Sequence, residues 1–268
     1  LILSDQECAA AAVYTMNRVK AAPLYVTMEH LEDGTAWGVA ANSGNANACC
    51  PMSQEYAEEM ARLAARATGR APADFVVAST GVIGQTLNIA AIRAGMPEAA
   101  AGLTAGPEGS DAAARAIMTT DTVKKELALA CSIGGRTVTL GAIAKGSGMI
   151  HPNMATMLAY ITTDAKIDAA VVQPMLKAST DKSFNMMTVD GDTSTNDSLF
   201  LLANGASGVA VETEADKAAF AEILDMICMD MARRIASDGE GATHLMIVEA
   251  YGLPTEKDAK LVARSIAG

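Results

Sequence analysis

The sequence KGSGMIHPNMATMLAYITTD, residues 145–164, joins a glycine-rich loop directly to an apolar run. The loop carries two glycines and a proline, residues that interrupt regular structure. The run from Met157 onward places apolar side chains at successive positions, which predicts a largely buried strand. This buried strand requires a sheet in the fold, and it leaves a hydroxyl residue, Thr156, at the junction between loop and strand.

Other segments predict further strands and helices in an irregular order. The predicted strands are residues 36–41, 74–79, 136–144 and 244–251, the last of which includes His244 as a structural residue. The predicted helices are one capped by Ser53, then residues 109–118, 165–178 and 214–236. Because strands and helices do not alternate strictly, we predict an α+β fold rather than a doubly wound parallel sheet.

Composition excludes several classes of partner. The chain has 268 residues and a net charge of −11, which argues against nucleic acid or an anionic membrane surface. No run of about 18 apolar residues predicts a membrane span. The five cysteines are odd in number and form no C-x-x-C pair, so we expect free thiols in a reducing cytoplasm and no metal site. Both ends interrupt periodic patterns, so we expect a fragment of a longer protein.

The sequence lacks the motifs of two common kinds of site, an EF-hand calcium loop and a Ser-His-Asp triad. The stretch DGDTSTND, residues 190–197, alternates oxygen-bearing side chains like a calcium loop. An EF-hand needs glycine at its sixth position and glutamate at its twelfth, and here those positions hold Thr195 and Leu201. We therefore predict a polar turn there. A Ser-His-Asp triad has no G-x-S-x-G elbow to support it.

Thr156 has a different route to reactivity. A threonine hydroxyl becomes a nucleophile when a base lies beside it, and the residue's own free α-amine can be that base. An α-amine has a pKa of about 7.7–8.0, so part of it is neutral near neutral pH. Cleavage of the Ala155–Thr156 bond would release this amine. The small Ala155 and the glycines of the preceding loop suit attack on that peptide, although many strands begin with threonine for structural reasons.

The segment 145–164 closely resembles the self-cleavage segment of the ornithine acetyltransferase (glutamate N-acetyltransferase) family, the bifunctional arginine biosynthesis proteins. Further motifs match in the family's order: NRVKAAP (17–23), NSGNANAC (42–49), ASTGVIG (78–84), AIMTTDT (116–122), FNMMTVDGDTSTND (184–197) and SDGEGATH (237–244). The resemblance implies an α/β/β/α sandwich that is similar to N-terminal-nucleophile enzymes but has its own topology. It also implies an α chain, residues 1–155, and a β chain, residues 156–268, both incomplete here.

The resemblance assigns roles residue by residue. Thr156 matches the nucleophile and new N-terminus, after self-cleavage between Ala155 and Thr156. Thr80 and Gly81 match the oxyanion hole. The matches to the family's substrate contacts are Thr119, Lys145 and Glu240, together with Thr156. In the absence of the resemblance, Lys145 would be interpreted as a solvated loop residue and Glu240 as a polar residue after a helix.

The implied reaction transfers acetyl from N2-acetylornithine to glutamate through an acetyl-threonine, with no metal or bound cofactor. The resemblance leaves open whether acetyl-CoA is a second acetyl donor. The family pattern also implies paired α and β chains, an α2β2 assembly. Two alternatives stay open: an N-terminal-threonine aminopeptidase or amidase that gives the acyl group to water, and an inactive truncated homologue. The sequence departs from the family in lacking its C-terminal segment and in carrying His244 where lysine is usual.

Overall fold

The computed structural model describes residues 1–151 and 157–268, so Ala155 and Thr156 lie outside the described residues. The strands are β1 (Ile2–Tyr14), β2 (Thr35–Asn42), β3 (Phe75–Ser79), β4 (Lys125–Ile133), β5 (Arg136–Lys145), β6 (Leu158–Thr163) and β7 (Ser198–Ala203). The helices are α1 (Ala22–His30), α2 (Ser53–Thr68), α3 (Ile89–Ala101), α4 (Pro107–Ala116), α5 (Ala169–Lys182), α6 (Glu214–Ser237) and α7 (Glu256–Ala267).

The seven strands form one mixed sheet in the order β3-β2-β1-β7-β6-β5-β4. Two neighbouring pairs, β2–β3 and β6–β7, are parallel, and the other four are antiparallel. This mixture confirms the α+β prediction. Within the described residues the strands belong to this single sheet, with helices packed against it.

Burial explains why these apolar segments are strands. All residues of β3 and β7 are buried, as expected for apolar runs covered on both faces. Strands β3 and β4 are the two edges of the sheet, and β4 differs from β3 in alternating exposed and half-buried residues along its middle. The predicted strands 36–41, 74–79 and 136–144 correspond to β2, β3 and β5.

Helices cover the sheet unequally. Helices α5 and α6 pack on one face, where Leu176 and Phe220 join Leu140 and Leu201 of the sheet in the largest core cluster. The other face carries a second cluster that includes Tyr160, Phe200 and residues of α4. Helix α6 begins at Glu214 because Thr213 and Asp216 form a reciprocal capping box. None of the helices formed by the described residues is long and apolar enough to cross a membrane.

Two local predictions are wrong. Residues 244–251 form no strand; Met246, Ile247 and Tyr251 are 65%, 64% and 89% exposed, and no described strand pairs with them. A strand needs a neighbour to satisfy its backbone groups, and an apolar pattern alone does not supply one. His244 is therefore exposed, next to the Thr243 hydroxyl.

Ser53 also does not cap α2, because its hydroxyl donates to the Cys50 carbonyl.

Replacement of Tyr160 by phenylalanine tests the packing of the second cluster. The Tyr160 ring stacks on Phe200 with centroids 5.6 Å apart, and its buried hydroxyl has no hydrogen-bond partner among the described residues. Because a buried unpaired hydroxyl costs free energy, we expect Tyr160→Phe to keep or raise the free energy of unfolding, by up to about 1 kcal/mol. Urea titration measures this. As the matched control, Phe200→Ala should lose about 3 kcal/mol or more. A clear loss of stability in Tyr160→Phe would contradict this account.

Candidate active site

Three strand ends meet at the level of Met157, the residue that follows Thr156 in the sequence. In the sheet, Lys145 at the end of β5 pairs with Leu158 at the start of β6, and Leu158 pairs with Ser198 at the start of β7. Met157, the residue after Thr156, therefore lies at this level of the sheet. Its carbonyl accepts a hydrogen bond from the Ser198 N–H at 3.1 Å.

Asp197 holds the other side of Met157. Its Oδ1 accepts a hydrogen bond from the Met157 N–H at 2.9 Å. The side chain is fully buried, and Oδ2 has no partner among the described residues. Burial raises the pKa of this carboxyl well above its usual value, although the Met157 N–H, Ser194 and the charge of Lys145 act in the opposite direction. The chain next to Thr156 is thus anchored by a carboxyl group in a dry environment.

Thr80 and Gly81 form a tight turn at the end of β3. The Thr80 N–H donates to the Asn42 carbonyl at 3.1 Å, so the group that Thr80 can offer to a ligand is its hydroxyl. Gly81 has φ +129°, and a Cβ there would lie 2.2 Å from the carbonyl carbon of Gly44. Only glycine fits this turn, because a side chain would be strained and would also collide with the neighbouring loop.

Asn196 ties this turn to the rest of the site. Its side-chain amide donates to the Ala46 carbonyl at 2.7 Å and to the Ser79 carbonyl at 2.9 Å. The residue is buried and lies immediately before Asp197. One dipeptide therefore holds both the turn at Thr80 and the start of β6.

Lys145 contacts the Thr80 turn directly. Its Nζ donates to the Thr80 Oγ1 at 3.3 Å, and both side chains are buried, with 2% of each residue exposed. Burial lowers the pKa of the Lys145 ammonium, while the charges of Asp121, Asp197 and Glu240 support the protonated form. Lys145 is therefore not a solvated loop lysine. It is a buried cation beside a hydroxyl that can serve as a hydrogen-bond donor.

Thr119 and Glu240 lie at the rim of this region. Both residues are exposed. The Thr119 N–H donates to Asp121 Oδ2 at 3.1 Å, and the Glu240 N–H donates to the Ser147 carbonyl at 2.8 Å. A Cβ built on Gly148 would lie 2.6 Å from the Glu240 carboxyl carbon, so this glycine makes room for the carboxylate.

The structure brings together Thr80, Gly81 and Lys145. The Glu240 carboxylate lies against Gly148, in the loop that follows Lys145. Asn196 and Asp197 were not predicted as site residues, because residues 190–197 were interpreted as a polar turn. The polar turn itself is present, since Asp190 accepts hydrogen bonds from the N–H groups of Met149 and Ile150. Long-range partners of this kind have no signature in local spacing. Across residues 1–151 and 157–268, no group of three or more His, Cys, Asp or Glu side chains could hold a metal ion.

Comparison with known proteins gives this geometry its context. The family model described as the ArgJ family matches residues 1–268. The chain belongs to the ArgJ family. The arginine biosynthesis bifunctional protein ArgJ of Symbiobacterium thermophilum is 53% identical over 271 residues, which cover the whole of this chain. The chain spans 67% of the length of that relative. It spans 65% of the length of the arginine biosynthesis bifunctional protein ArgJ of Synechocystis sp., which is 47% identical.

Solved structures agree on the fold. A crystal structure of arginine biosynthesis bifunctional protein ArgJ from Bacillus halodurans is 41% identical with a TM-score of 0.54, covering 57% of this chain and 80% of that one. The l-aminopeptidase d-ala-esterase/amidase of Ochrobactrum anthropi, described as a variant of the Ntn hydrolase fold, has a TM-score of 0.54 at 11% identity, covering 94% of this chain and 76% of its own. The second similarity shows the fold alone, and that fold is of the kind predicted from the sequence.

Asp197 should make folding stability depend on pH. Because its pKa is raised in the folded state, the folded protein holds a proton that the unfolded chain releases above about pH 4. Asp197 therefore costs stability as pH rises from about 4 toward neutral. We expect Asp197→Asn to flatten this dependence and to gain stability relative to wild type as pH increases. Urea titrations at pH 4.5 and 7.5 measure the difference.

The matched control is Asp230→Asn, which removes a partly exposed carboxylate on α6. It should change the free energy of unfolding by less than about 0.5 kcal/mol at either pH. Equal pH dependence in wild type and Asp197→Asn would contradict the assignment of a raised pKa.

Proposed function

We propose that the protein containing this chain is a glutamate N-acetyltransferase that takes acetyl from N2-acetylornithine. The observation that carries the proposal is the contact of buried Lys145 with Thr80 beside Met157, the neighbour of the proposed nucleophile. This arrangement offers a cation and a hydroxyl donor where an acetylated amino acid would place its carboxylate and its acetyl oxygen. The ArgJ relatives, named as bifunctional proteins of arginine biosynthesis, support the same reaction.

The proposed reaction begins with self-cleavage between Ala155 and Thr156, which divides the precursor into an α and a β chain. The support for this step is the resemblance of residues 145–164 to the family's self-cleavage segment. In addition, the residue after the proposed cut, Met157, is held through its N–H by Asp197 at 2.9 Å.

Acetyl transfer then follows a covalent route. The neutral α-amine of Thr156 accepts the proton of its own hydroxyl, and Oγ bonds to the acetyl carbon of N2-acetylornithine. The Thr80 hydroxyl and Gly81 stabilise the oxyanion, and one such donor contributes on the order of 3 kcal/mol. The C–N bond breaks, ornithine leaves with the proton, and the amine of glutamate attacks the acetyl-threonine in its turn. Acetyl-CoA as an alternative donor would enter at the first step.

Substrate recognition follows from charge. Lys145 meets the substrate carboxylate, because a buried ammonium gains most from an anionic partner in a site of low dielectric. Glu240 meets the side-chain ammonium of ornithine, and Thr119 donates or accepts a hydrogen bond at the rim. We expect the mature protein to act as an α2β2 assembly in the cytoplasm. None of the five cysteines forms a disulfide in the structure, and unpaired thiols are typical of a reducing compartment.

Substitution of Thr156 tests both cleavage and transfer. In the full-length protein, Thr156→Ala should leave one uncut polypeptide by intact mass and lower acetyl transfer from N2-acetylornithine to glutamate by at least about 10³-fold. Thr162→Ala, which removes an exposed hydroxyl on β6, is the matched control and should be cut and active. Wild type should yield a chain beginning TMLAY on N-terminal sequencing. If wild type releases acetate instead of transferring acetyl, the protein is a hydrolase and the proposal is wrong.

Gly148→Ala tests the role of Glu240. The backbone tolerates alanine there, since Gly148 does not have a positive φ, but the added Cβ displaces the Glu240 carboxylate. Loss of a charge-assisted hydrogen bond should raise the KM for N2-acetylornithine by about 10-fold or more and affect the KM for glutamate less. Gly141→Ala is the control, because its Cβ would meet only the Thr162 hydroxyl at an ordinary 3.5 Å. Equal effects on both substrates would argue against the assignment.

A further inference from the structure

We propose that the buried ion triad Asp121–Lys125–Asp238 positions the substrate-binding groups and sets the site's preference for its donor. This inference rests on the proposed function, because it takes Thr119, Lys145 and Glu240 as substrate contacts. The triad residues are positioning residues, since they act through these three neighbours. No part of the triad was expected from the sequence.

The triad is enclosed. Lys125 Nζ lies 2.6 Å from Asp121 Oδ1 and 2.6 Å from Asp238 Oδ2. The side chains of Lys125 and Asp121 are 0% exposed and that of Asp238 is 6% exposed. Burial of charges costs several kcal/mol per ion, and such groups are often replaceable by apolar residues without loss of stability. A triad this deep therefore points to a role in fixing local geometry.

Asp121 connects the triad to two of the three substrate contacts. Its Oδ1 accepts a hydrogen bond from the Gly146 N–H at 2.8 Å, and Gly146 directly follows Lys145. Its Oδ2 accepts from the Thr119 N–H at 3.1 Å. One carboxylate thus holds the backbone at two places, after the end of β5 and in the turn after α4.

Asp238 connects the triad to the third contact. Its carboxylate accepts from the Thr122 N–H at 3.0 Å, and its carbonyl accepts from the Ser147 hydroxyl at 2.7 Å. The Ser147 carbonyl in turn accepts from the Glu240 N–H at 2.8 Å. The loop that carries Glu240 is therefore fastened to the loop after Lys145 through Asp238 and Ser147.

The charge of the triad also favours a cationic Lys145. Two carboxylates and one ammonium leave a net charge of −1. Burial acts to raise the pKa of Asp121, but hydrogen bonds from Lys125, Gly146 and Thr119 outweigh it and keep the group ionised. The charged groups acting on Lys145 are Asp121, Lys125, Asp197 and Glu240. Since Asp121 acts most strongly among them, loss of its charge should weaken substrate carboxylate binding.

The test is a steady-state comparison in the full-length protein. Asp238→Asn and Asp121→Asn keep the side-chain shape and remove one charge each. We expect both variants to be self-cleaved, with the KM for N2-acetylornithine raised by about 10-fold or more and kcat within about threefold of wild type. Asp225→Asn is the matched control, because it breaks the surface Lys182–Asp225 pair between α5 and α6, and its KM should not change. An unchanged donor KM in the folded, cleaved triad variants would overturn the proposal.

Ser147→Ala keeps the proposal falsifiable if loss of a triad charge prevents folding. It removes one hydroxyl and leaves the three charges in place. We expect the donor KM to rise by about threefold or more, with glutamate affected less, and an unchanged donor KM would overturn the link from Asp238 to Glu240. The wild-type assay distinguishes failure of the proposed acetyltransferase function from failure of the proposed positioning role. Absence of acetyl transfer in wild type refutes the proposed function, whereas normal transfer with unchanged KM values in all variants refutes only the positioning role.

Discussion

The register of β5, β6 and β7 is the constraint on which the site depends. It sets Lys145, Leu158 and Ser198 at one level of the sheet, so that a buried cation, the start of β6 and the carboxyl of Asp197 are neighbours. A slip of one residue would turn each side chain to the opposite face and separate these groups. Both faces of the sheet carry packed apolar clusters, and this double burial specifies the register.

The site is unusual in how much charge it encloses. Lys125, Lys145, Asp121, Asp197 and Asp238 are all buried, in a chain whose other ion pairs lie mostly on exposed helix faces. Exposed pairs contribute little to stability, whereas buried charges must be paired or shift their pKa. Here the pairing with Lys125 outweighs burial and lowers the pKa values of Asp121 and Asp238. Burial instead raises the pKa of Asp197 and lowers that of Lys145. The triad carboxylates are thus held in their charged form, whereas burial disfavours the charged forms of Asp197 and Lys145.

Much of the fold was predictable because its periodic segments are strong. Strands β2, β3 and β5 follow from runs of apolar residues, and helix α6 follows from an apolar face at helical spacing. The segment 244–251 was mispredicted for a physical reason. Its apolar pattern is that of a strand, but strand formation depends on a hydrogen-bonding neighbour that periodicity does not reveal. In the site, Thr80 and Lys145 were predicted from motif resemblance, whereas Asn196 and Asp197 were missed because their partners lie far away in sequence.

The sequence by itself determined the element types of its strongly periodic segments and membership of the ArgJ family through motifs spread along the whole chain. The need for glycine at position 81 came from the folded structure, where a Cβ would collide with Gly44. Tertiary structure alone decided that Lys145 is buried against Thr80, and that Asp121, Lys125 and Asp238 form one enclosed triad. The reason is that burial and ion pairing depend on which distant segments pack together. Asp238 lies 113 residues from Lys125 in the chain but 2.6 Å away in space.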